Sequence, residues 1–253
     1  MTNEASASDR MRSILVLVAT ISTIAFNGLA ATGRVNGVSP EVISDRYPTI
    51  ITPAGWAFTI WSVIYLGMLA FSIYQLLPAN LRRFRGVRSV YIVSCLLNCS
   101  WIYFWHREQI GICVILIAAL LGSLIYMLIL LRRLGQERGP LFTKTVFGIY
   151  AGWVTAATLV NVAVFLKYLN IGLSSSVWNM IGIFFLILAA GAAVVVRFKL
   201  QNYLYPLAIA WAATAIGVKQ SGNTAIVVAS AICVIVGLVM SVSFVMDQKS
   251  TTT

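Results

Sequence analysis

The stretch TPAGWAFTIWSVIYLG, residues 52–67, indicates a membrane-spanning helix with an unusual placement of aromatic residues. Thr52 can cap the helix, Pro53 suits its first turn, and the apolar run continues well beyond the quoted residues. At about 1.5 Å of rise per residue, Trp61 and Tyr65 would lie about 12 and 18 Å below its beginning. Tyr65 would then lie near the middle of a bilayer, where its hydroxyl group has no water to bind. The placement predicts that this aromatic pair faces the protein interior.

The composition identifies an integral membrane protein. Of the 253 residues, 60% are hydrophobic and only 10% are charged, and the mean hydropathy is +0.90, whereas a soluble domain carries about 25% charged residues. Apolar runs near the length of about 20 residues that crosses a hydrocarbon core recur along the chain. They predict an all-α, polytopic membrane helix bundle of about eight transmembrane helices, with seven as the alternative because the seventh run is the weakest. The runs are 13–32, 53–77, 87–105, 109–131, 141–166, 176–196, 203–218 and 223–246.

The basic residues are distributed unevenly between the two sides that eight spans would create. The net charge is +11, and all but five of the 18 Lys and Arg residues fall on the side of the two termini. An excess of Lys and Arg marks the cytoplasmic side of a membrane protein. We therefore predict that both termini are cytoplasmic and that the protein resides in a bacterial inner (plasma) membrane. The bias reflects topology and predicts no nucleic-acid partner. The five exceptions are Arg34, Arg46, Arg107, Lys167 and Lys219.

The connections between the runs suggest where the bundle is covered. Polar tails are predicted at 1–12 and 247–253. The loop at 33–52, predicted to lie outside, is long for a helix bundle, and long loops often act as lids. Only residues 106–108 separate the third and fourth spans, which predicts antiparallel neighbours.

The first span has a second interpretation, as a cleaved signal peptide. Arg10 and Arg12 would form its basic region, residues 14–26 its apolar core, and residues 28–30 a passable cleavage site.

The titratable residues argue against proton-coupled transport and against a conventional active site. None of the seven acidic residues falls within a predicted span, whereas a proton- or sodium-coupled pump holds a carboxylate inside the membrane. His106 is the only histidine, and its place in a tight turn predicts a surface position. The four cysteines lie within spans, so no disulfide framework is expected. We therefore predict neither catalytic nor metal-binding residues.

Three spans carry stripes of aromatic, amide and small residues on single helix faces. Residues four apart share a face of a helix. An amide in lipid costs free energy unless it has a partner, so Asn98 and Asn161 should face the interior. A ridge of small residues on the fifth span should let another helix approach closely. The stripes are Ala57, Trp61 and Tyr65 on the second span, Asn98, Trp101 and Trp105 on the third, and Trp153, Ala157 and Asn161 on the fifth; the ridge is Gly148, Gly152 and Ala156.

The stripes allow two interpretations. They could pack against one another, with the Tyr65 hydroxyl bonded to Asn98 or Asn161. Alternatively, they line an intramembrane pocket for a flat apolar ligand, whose ring would stack on indole faces while the amides orient it.

Three motifs resemble the TspO/MBR family, the tryptophan-rich sensory proteins related to the mitochondrial translocator (peripheral benzodiazepine receptor) protein. The second-helix motif Pro-Gly-Trp-x-Phe-x-x-x-Trp-x-x-x-Tyr matches PAGWAFTIWSVIY at 53–65, with one alanine inserted after the proline. The third-helix motif Leu-Asn-x-x-Trp matches LNCSW at 97–101, and the fifth-helix motif Trp-x-x-x-Ala-Thr-x-x-Asn matches WVTAATLVN at 153–161. The resemblance covers 13–167, the five-helix unit of that family.

The resemblance implies a ligand-binding protein that requires no cofactor. Porphyrins, haem among them, sterol-like molecules and flat synthetic ligands are the implied partners, together with membrane lipid, and a homodimer is possible. Tryptophans equivalent to Trp61 and Trp153 are implicated in light-dependent porphyrin breakdown in that family. We predict a ligand site formed by Trp61, Tyr65, Asn98, Trp101, Trp153, Ala157 and Asn161.

The chain departs from the short family members after the fifth helix. An extension at 168–246 is predicted to add three helices, and Trp178 and Trp211 within it have no predicted role. The sterol-recognition pattern at the end of the fifth helix is incomplete, because no Lys or Arg follows Tyr168 within five residues; this favours porphyrin over sterol. Two other functions stay open: a small-molecule transporter or facilitator, and a light-dependent porphyrin-degrading enzyme.

Overall fold

The computed structural model is helical. It describes residues 6–134 and 138–243, and in the second range it describes side chains from residue 142 onward. Two short 3₁₀ segments, Gly55–Thr59 and Pro78–Asn80, precede α3 and α4. The helices of the described chain are α1 Ala7–Ala31, α2 Pro40–Arg46, α3 Ile60–Tyr74, α4 Arg85–His106, α5 Ile110–Arg133, α6 Arg138–Tyr168, α7 Ser175–Leu200, α8 Leu204–Lys219 and α9 Thr224–Val242.

The predicted polytopic helix bundle is confirmed. Seven helical segments of the described chain are long and apolar enough to cross a membrane: α1, the 3₁₀ segment with α3, and α4, α5, α6, α7 and α9. The weak run at 203–218 forms α8, whose 16 residues would reach about 24 Å, short of a hydrocarbon core of about 30 Å. The helix α2 lies within the loop at 33–52 and was not predicted.

The first helix begins earlier than its hydropathy suggests. Ser6 caps α1 in a reciprocal capping box with Asp9, so the helix takes in residues 7–12 of the predicted tail. Asp9 also accepts a hydrogen bond from Arg85 Nε at 2.7 Å. The carboxylate can therefore be buried because a cap and an arginine satisfy it. The second predicted tail, 247–253, lies outside the described residues.

At one end of the bundle, the beginnings of two helices contact each other, and the ends of two others contact each other. The beginnings of α1 and α4 meet through Asp9 and Arg85. The Arg197 Nε atom, near the end of α7, donates to Ser243 Oγ, just after α9, at 2.6 Å. Because this end holds most of the Lys and Arg residues, we name it the basic end. Both ends of the described chain lie there, as the predicted topology requires.

Different residues meet at the opposite end. Lys219, the last residue of α8, pairs with Asp45 of α2 at 3.1 Å. Asn223, which caps α9, donates from Nδ2 to Asn179 Oδ1 of α7 at 2.8 Å. The loop at 33–52 therefore covers the end of the bundle away from both chain ends.

The small-residue ridge on α6 faces α8, which confirms the predicted close helix contact. A side chain at Gly148 would overlap Asn202, and a Cβ atom at Gly152 would lie 2.5 Å from the Tyr205 carbonyl oxygen. Beside the ridge, Thr155 Oγ1 and the Tyr205 hydroxyl share a hydrogen bond of 2.6 Å. The predicted extension is thus packed directly onto the five-helix unit.

Candidate functional site

A cavity of about 40 Å³ lies among the predicted tryptophans, and we name it the inner cavity. Five of the seven predicted site residues line it, from α3, α4 and α6. Two residues of α8, one of α2 and two that precede α3 complete its wall, so neither the five-helix unit nor the extension encloses it alone. Its lining residues are Ser44, Pro53, Phe58, Trp61, Trp101, Trp105, Trp153, Ala156, Ala157, Val160, Asn161, Ala212 and Ile216.

A larger cavity of about 390 Å³ lies between α1, α3 and α4, below the first turn of α2, and we name it the groove. Phe58, Trp61 and Trp101 line both spaces and therefore form the wall between them. Tyr65 lines the groove and not the inner cavity. The groove is lined by Ile24, Asn27, Gly28, Ala31, Pro40, Glu41, Gly55, Phe58, Thr59, Trp61, Ser62, Tyr65, Trp101 and Ile102.

The aromatic rings around this wall adopt stacked and edge-on arrangements. Trp61 stacks on Tyr65 with ring centroids 5.4 Å apart and planes at 18°. Trp101 stacks on Trp105 at 5.7 Å and 23°. Phe58 meets the ring of Trp153 edge-on at 5.8 Å. Such offset and T-shaped pairs are the favoured aromatic geometries, so the rings are held in place without a ligand.

Two buried polar atoms that lack a partner belong to residues of the inner cavity. Trp153 Nε1 and Ser44 Oγ make no hydrogen bond in the described chain, although each residue is only 3% exposed. A buried polar group without a partner costs about 1–3 kcal/mol. The cavity has room for a water molecule, which needs about 10–15 Å³, or for one polar group of a ligand. It therefore offers a donor and a hydroxyl to whatever enters it.

The two predicted amides have different surroundings. Asn161 Oδ1 accepts from Trp101 Nε1 at 3.2 Å, and its Nδ2 donates to the Ala157 carbonyl oxygen. Asn98 lines neither the inner cavity nor the groove. Its Oδ1 accepts from Asn27 Nδ2 at 2.8 Å, and its Nδ2 donates to the Tyr150 hydroxyl at 2.9 Å. Contact between Asn98 and a ligand stays a prediction.

The suggested bond between Tyr65 and an amide of Asn98 or Asn161 is wrong. The period of a helix placed these residues on interior faces, but Asn27 of α1 and Tyr150 of α6 reach Asn98 first. The surface position predicted for His106 is also wrong. Its ring is buried and bonds through Nδ1 to the Ile102 carbonyl oxygen, one helical turn earlier.

The loop at 33–52, which contains α2, covers the site, and we name it the lid. Trp105 Nε1 donates to the Pro40 carbonyl oxygen at 3.1 Å, which holds the beginning of α2 over the tryptophans. Glu108 accepts from the Tyr47 hydroxyl at 2.6 Å and pairs with Arg46. The Tyr47 hydrogen bond and the Arg46 charge lower the pKa of Glu108. Burial and Glu108 raise the pKa of Tyr47 to about 12.

Several site residues were missed in the sequence. Ser44 belongs to a loop without a motif, and Ala212 and Ile216 belong to a helix outside the three motifs. Trp211 does not line the inner cavity but holds α8 against the segment that leads into α3. Its Nε1 donates to the Ala57 carbonyl oxygen at 3.0 Å, and its ring meets Trp56 edge-on. The alanines of α8, at positions 208, 210 and 212 among others, could have indicated from the sequence that this helix packs closely against another.

No cluster of three or more His, Cys, Asp or Glu side chains suited to a metal occurs among the residues that the structure describes.

The comparisons assign the chain to a family. The family model described as TSPO-like protein matches residues 13–244, which includes the whole five-helix unit and nearly all of the predicted extension. No curated protein and no solved structure matches the chain significantly. The resemblance predicted from three motifs is confirmed, and the chain belongs to the family of TSPO-like proteins.

Proposed function

We propose that this integral membrane protein binds a flat aromatic ligand of the porphyrin type between its helices, beneath the lid. One observation carries the proposal: Trp61, Trp101 and Phe58 form a wall with a space on either side. A planar ring can stack on indole faces of such a wall without any charged group in the membrane. Among the described residues, none that lines the inner cavity is acidic, and Glu41 is the one acidic residue that lines the groove.

The sizes of the two spaces indicate where the ring would lie. Ligand pockets usually measure about 300–1,000 Å³. The groove, at about 390 Å³, falls within that range, whereas the inner cavity, at about 40 Å³, does not. We therefore place the ring in the groove, against Trp61 and Tyr65. The inner cavity would receive one small polar substituent, which Trp153 Nε1 and Ser44 Oγ could bind.

The test is a titration of the full-length protein in detergent with protoporphyrin IX, followed by the shift of its Soret band. We expect saturable binding to the parent and affinity reduced several-fold for Trp61→Phe, since part of an aromatic contact is worth about 1 kcal/mol. Trp178→Phe is the control, because Trp178 lies beside Lys167 at the outer rim and lines neither space. Equal affinities for all three proteins would contradict the proposal.

The same preparation distinguishes binding from the other two functions. Loss of the Soret band only under illumination would identify the protein as a porphyrin-degrading enzyme. Uptake of porphyrin into proteoliposomes would identify it as a facilitator. Stable binding without either result would identify a receptor or sensor.

A further inference from the structure

We infer that the ligand of the groove carries a positively charged group that pairs with Glu41 under the lid, and this inference rests on the proposed function. Among the described residues that line the groove, Glu41 is the one with a charge. Its position in the first turn of α2 places a carboxylate at the lid side of a space otherwise lined by aromatic, aliphatic, small and neutral polar side chains.

The other acidic residues near the lid already have partners. Asp45 pairs with Lys219 at 3.1 Å, and Glu108 pairs with Arg46 and Tyr47. Within residues 6–134 and 138–243, Glu41 makes no hydrogen bond and no ion pair. Its oxygen atoms are therefore available to a ligand.

Two features of the groove favour a cation over an anion. The aromatic residues Trp61, Trp101 and Tyr65 line the groove, and aromatic rings attract positive charge through their quadrupoles. Glu41 is only partly exposed, so its charge is less screened than it would be in bulk water. The carboxylate would repel an anionic substituent at the lid side. The ligand class is therefore a flat aromatic ring with an amine or amidine group on one edge.

The direction of this preference opposes the charge of the whole protein. The chain carries a net charge of +11, so attraction at long range would favour a porphyrin with free carboxylates. At about 0.15 M salt, screening beyond about 8 Å suppresses that attraction and leaves the local contact. A preference for cations that is measured at this salt concentration therefore reflects contacts within the groove and not the net charge of the protein.

The experiment compares three forms of one ring. Protoporphyrin IX is a dianion, its dimethyl ester is neutral, and its bis(aminoethyl) amide is a dication. We expect the parent protein to bind the dication about fivefold more tightly than the neutral ester, and the dianion least tightly. In Glu41→Gln, the preference for the dication over the ester should disappear.

Asp45→Asn is the matched control, because it removes the same charge from the same helix at a carboxylate that pairs with Lys219 outside the groove. It should keep the preference of the parent. A parent that binds the dianion as tightly as the dication would overturn the inference, and this comparison needs no variant. An equal loss of preference in Glu41→Gln and Asp45→Asn would also overturn it. Binding of none of the three porphyrins would overturn the proposed function, and the inference with it.

Discussion

The indole ring of Trp61 meets that of Trp153 edge-on, with ring centroids 6.4 Å apart and planes at 85°. The contact joins α3 to α6, two helices whose motifs lie about ninety residues apart in the sequence. Trp153 keeps its Nε1 donor unpaired beside the inner cavity. The ring of Trp153 therefore packs against its neighbours, while its Nε1 donor makes no hydrogen bond within the described residues.

Replacing Trp153 should separate these two roles. Trp153→Phe keeps an aromatic ring and removes a donor without a protein partner, so the melting temperature in detergent should change little. Porphyrin affinity, measured by absorbance, should fall several-fold, because the polar substituent in the inner cavity loses a hydrogen-bond donor worth about 1 kcal/mol. Trp178→Phe provides the reference. A large fall in melting temperature with unchanged affinity would indicate that Trp153 serves packing alone.

The close approach of α6 and α8 predicts the result of adding bulk at Gly152. Gly152→Leu would press a side chain against the Tyr205 carbonyl oxygen, and we expect a loss of about 1–3 kcal/mol and a lower melting temperature. Gly122→Leu is the control, because a Cβ atom there has nothing within 4 Å. Equal melting temperatures for the two variants would place α8 away from the ridge.

The hydrogen bonds of Asn98 predict that replacing this residue lowers thermal stability. Asn98→Leu removes one partner of Asn27 and one of Tyr150, and each group left unpaired costs about 1–3 kcal/mol. Thermal stability should fall clearly, and Tyr150→Phe, which breaks one of the two bonds, should cost less. If Asn98→Leu melted with the parent and lost only ligand selectivity, Asn98 would contact the ligand directly.

The anchor of the lid predicts a response to acid. The pKa of Glu108 is lowered from its ordinary value of 4.5, so its bonds to Tyr47 and Arg46 stabilise the closed lid above that value. This stability is lost as the pH falls through the lowered pKa. Both partners of this ion pair are more than 30% exposed, so the effect should stay below about 1 kcal/mol.

Hydrogen exchange of residues 33–52 between about pH 6 and pH 3 measures this response once the intrinsic pH dependence of exchange is removed. Protection should fall toward the lower pH in the parent. Glu108→Gln should show reduced protection throughout that range. A parent lid whose corrected protection does not change with pH would exclude this anchor.

The arrangement of the two bundle ends predicts the topology in the cell. The lid lies away from the basic end, where both ends of the described chain lie. Reporter fusions after residue 40 and at the C-terminus should report opposite compartments, with the C-terminus in the cytoplasm. Fusions that report one compartment would require a different number of spans.

Hydropathy and helical period predicted much of the architecture because both are local properties. Runs of apolar residues identified the membrane helices, since a bilayer excludes unpaired backbone groups. The spacing of Trp153, Ala157 and Asn161 placed them on one face, and the structure brings all three to the inner cavity. The small ridge on α6 was recognised for the same reason.

Only the tertiary structure decided which helix each face meets. Trp211 bonds to Ala57 across 154 positions of sequence, and Asn27 reaches Asn98 across 71. The helical period specifies the direction of a side chain relative to its own helix axis, but not the partner that lies in that direction. The contributions of α8 and the lid depend on how separate helices pack, and the composition of no single segment determines that packing.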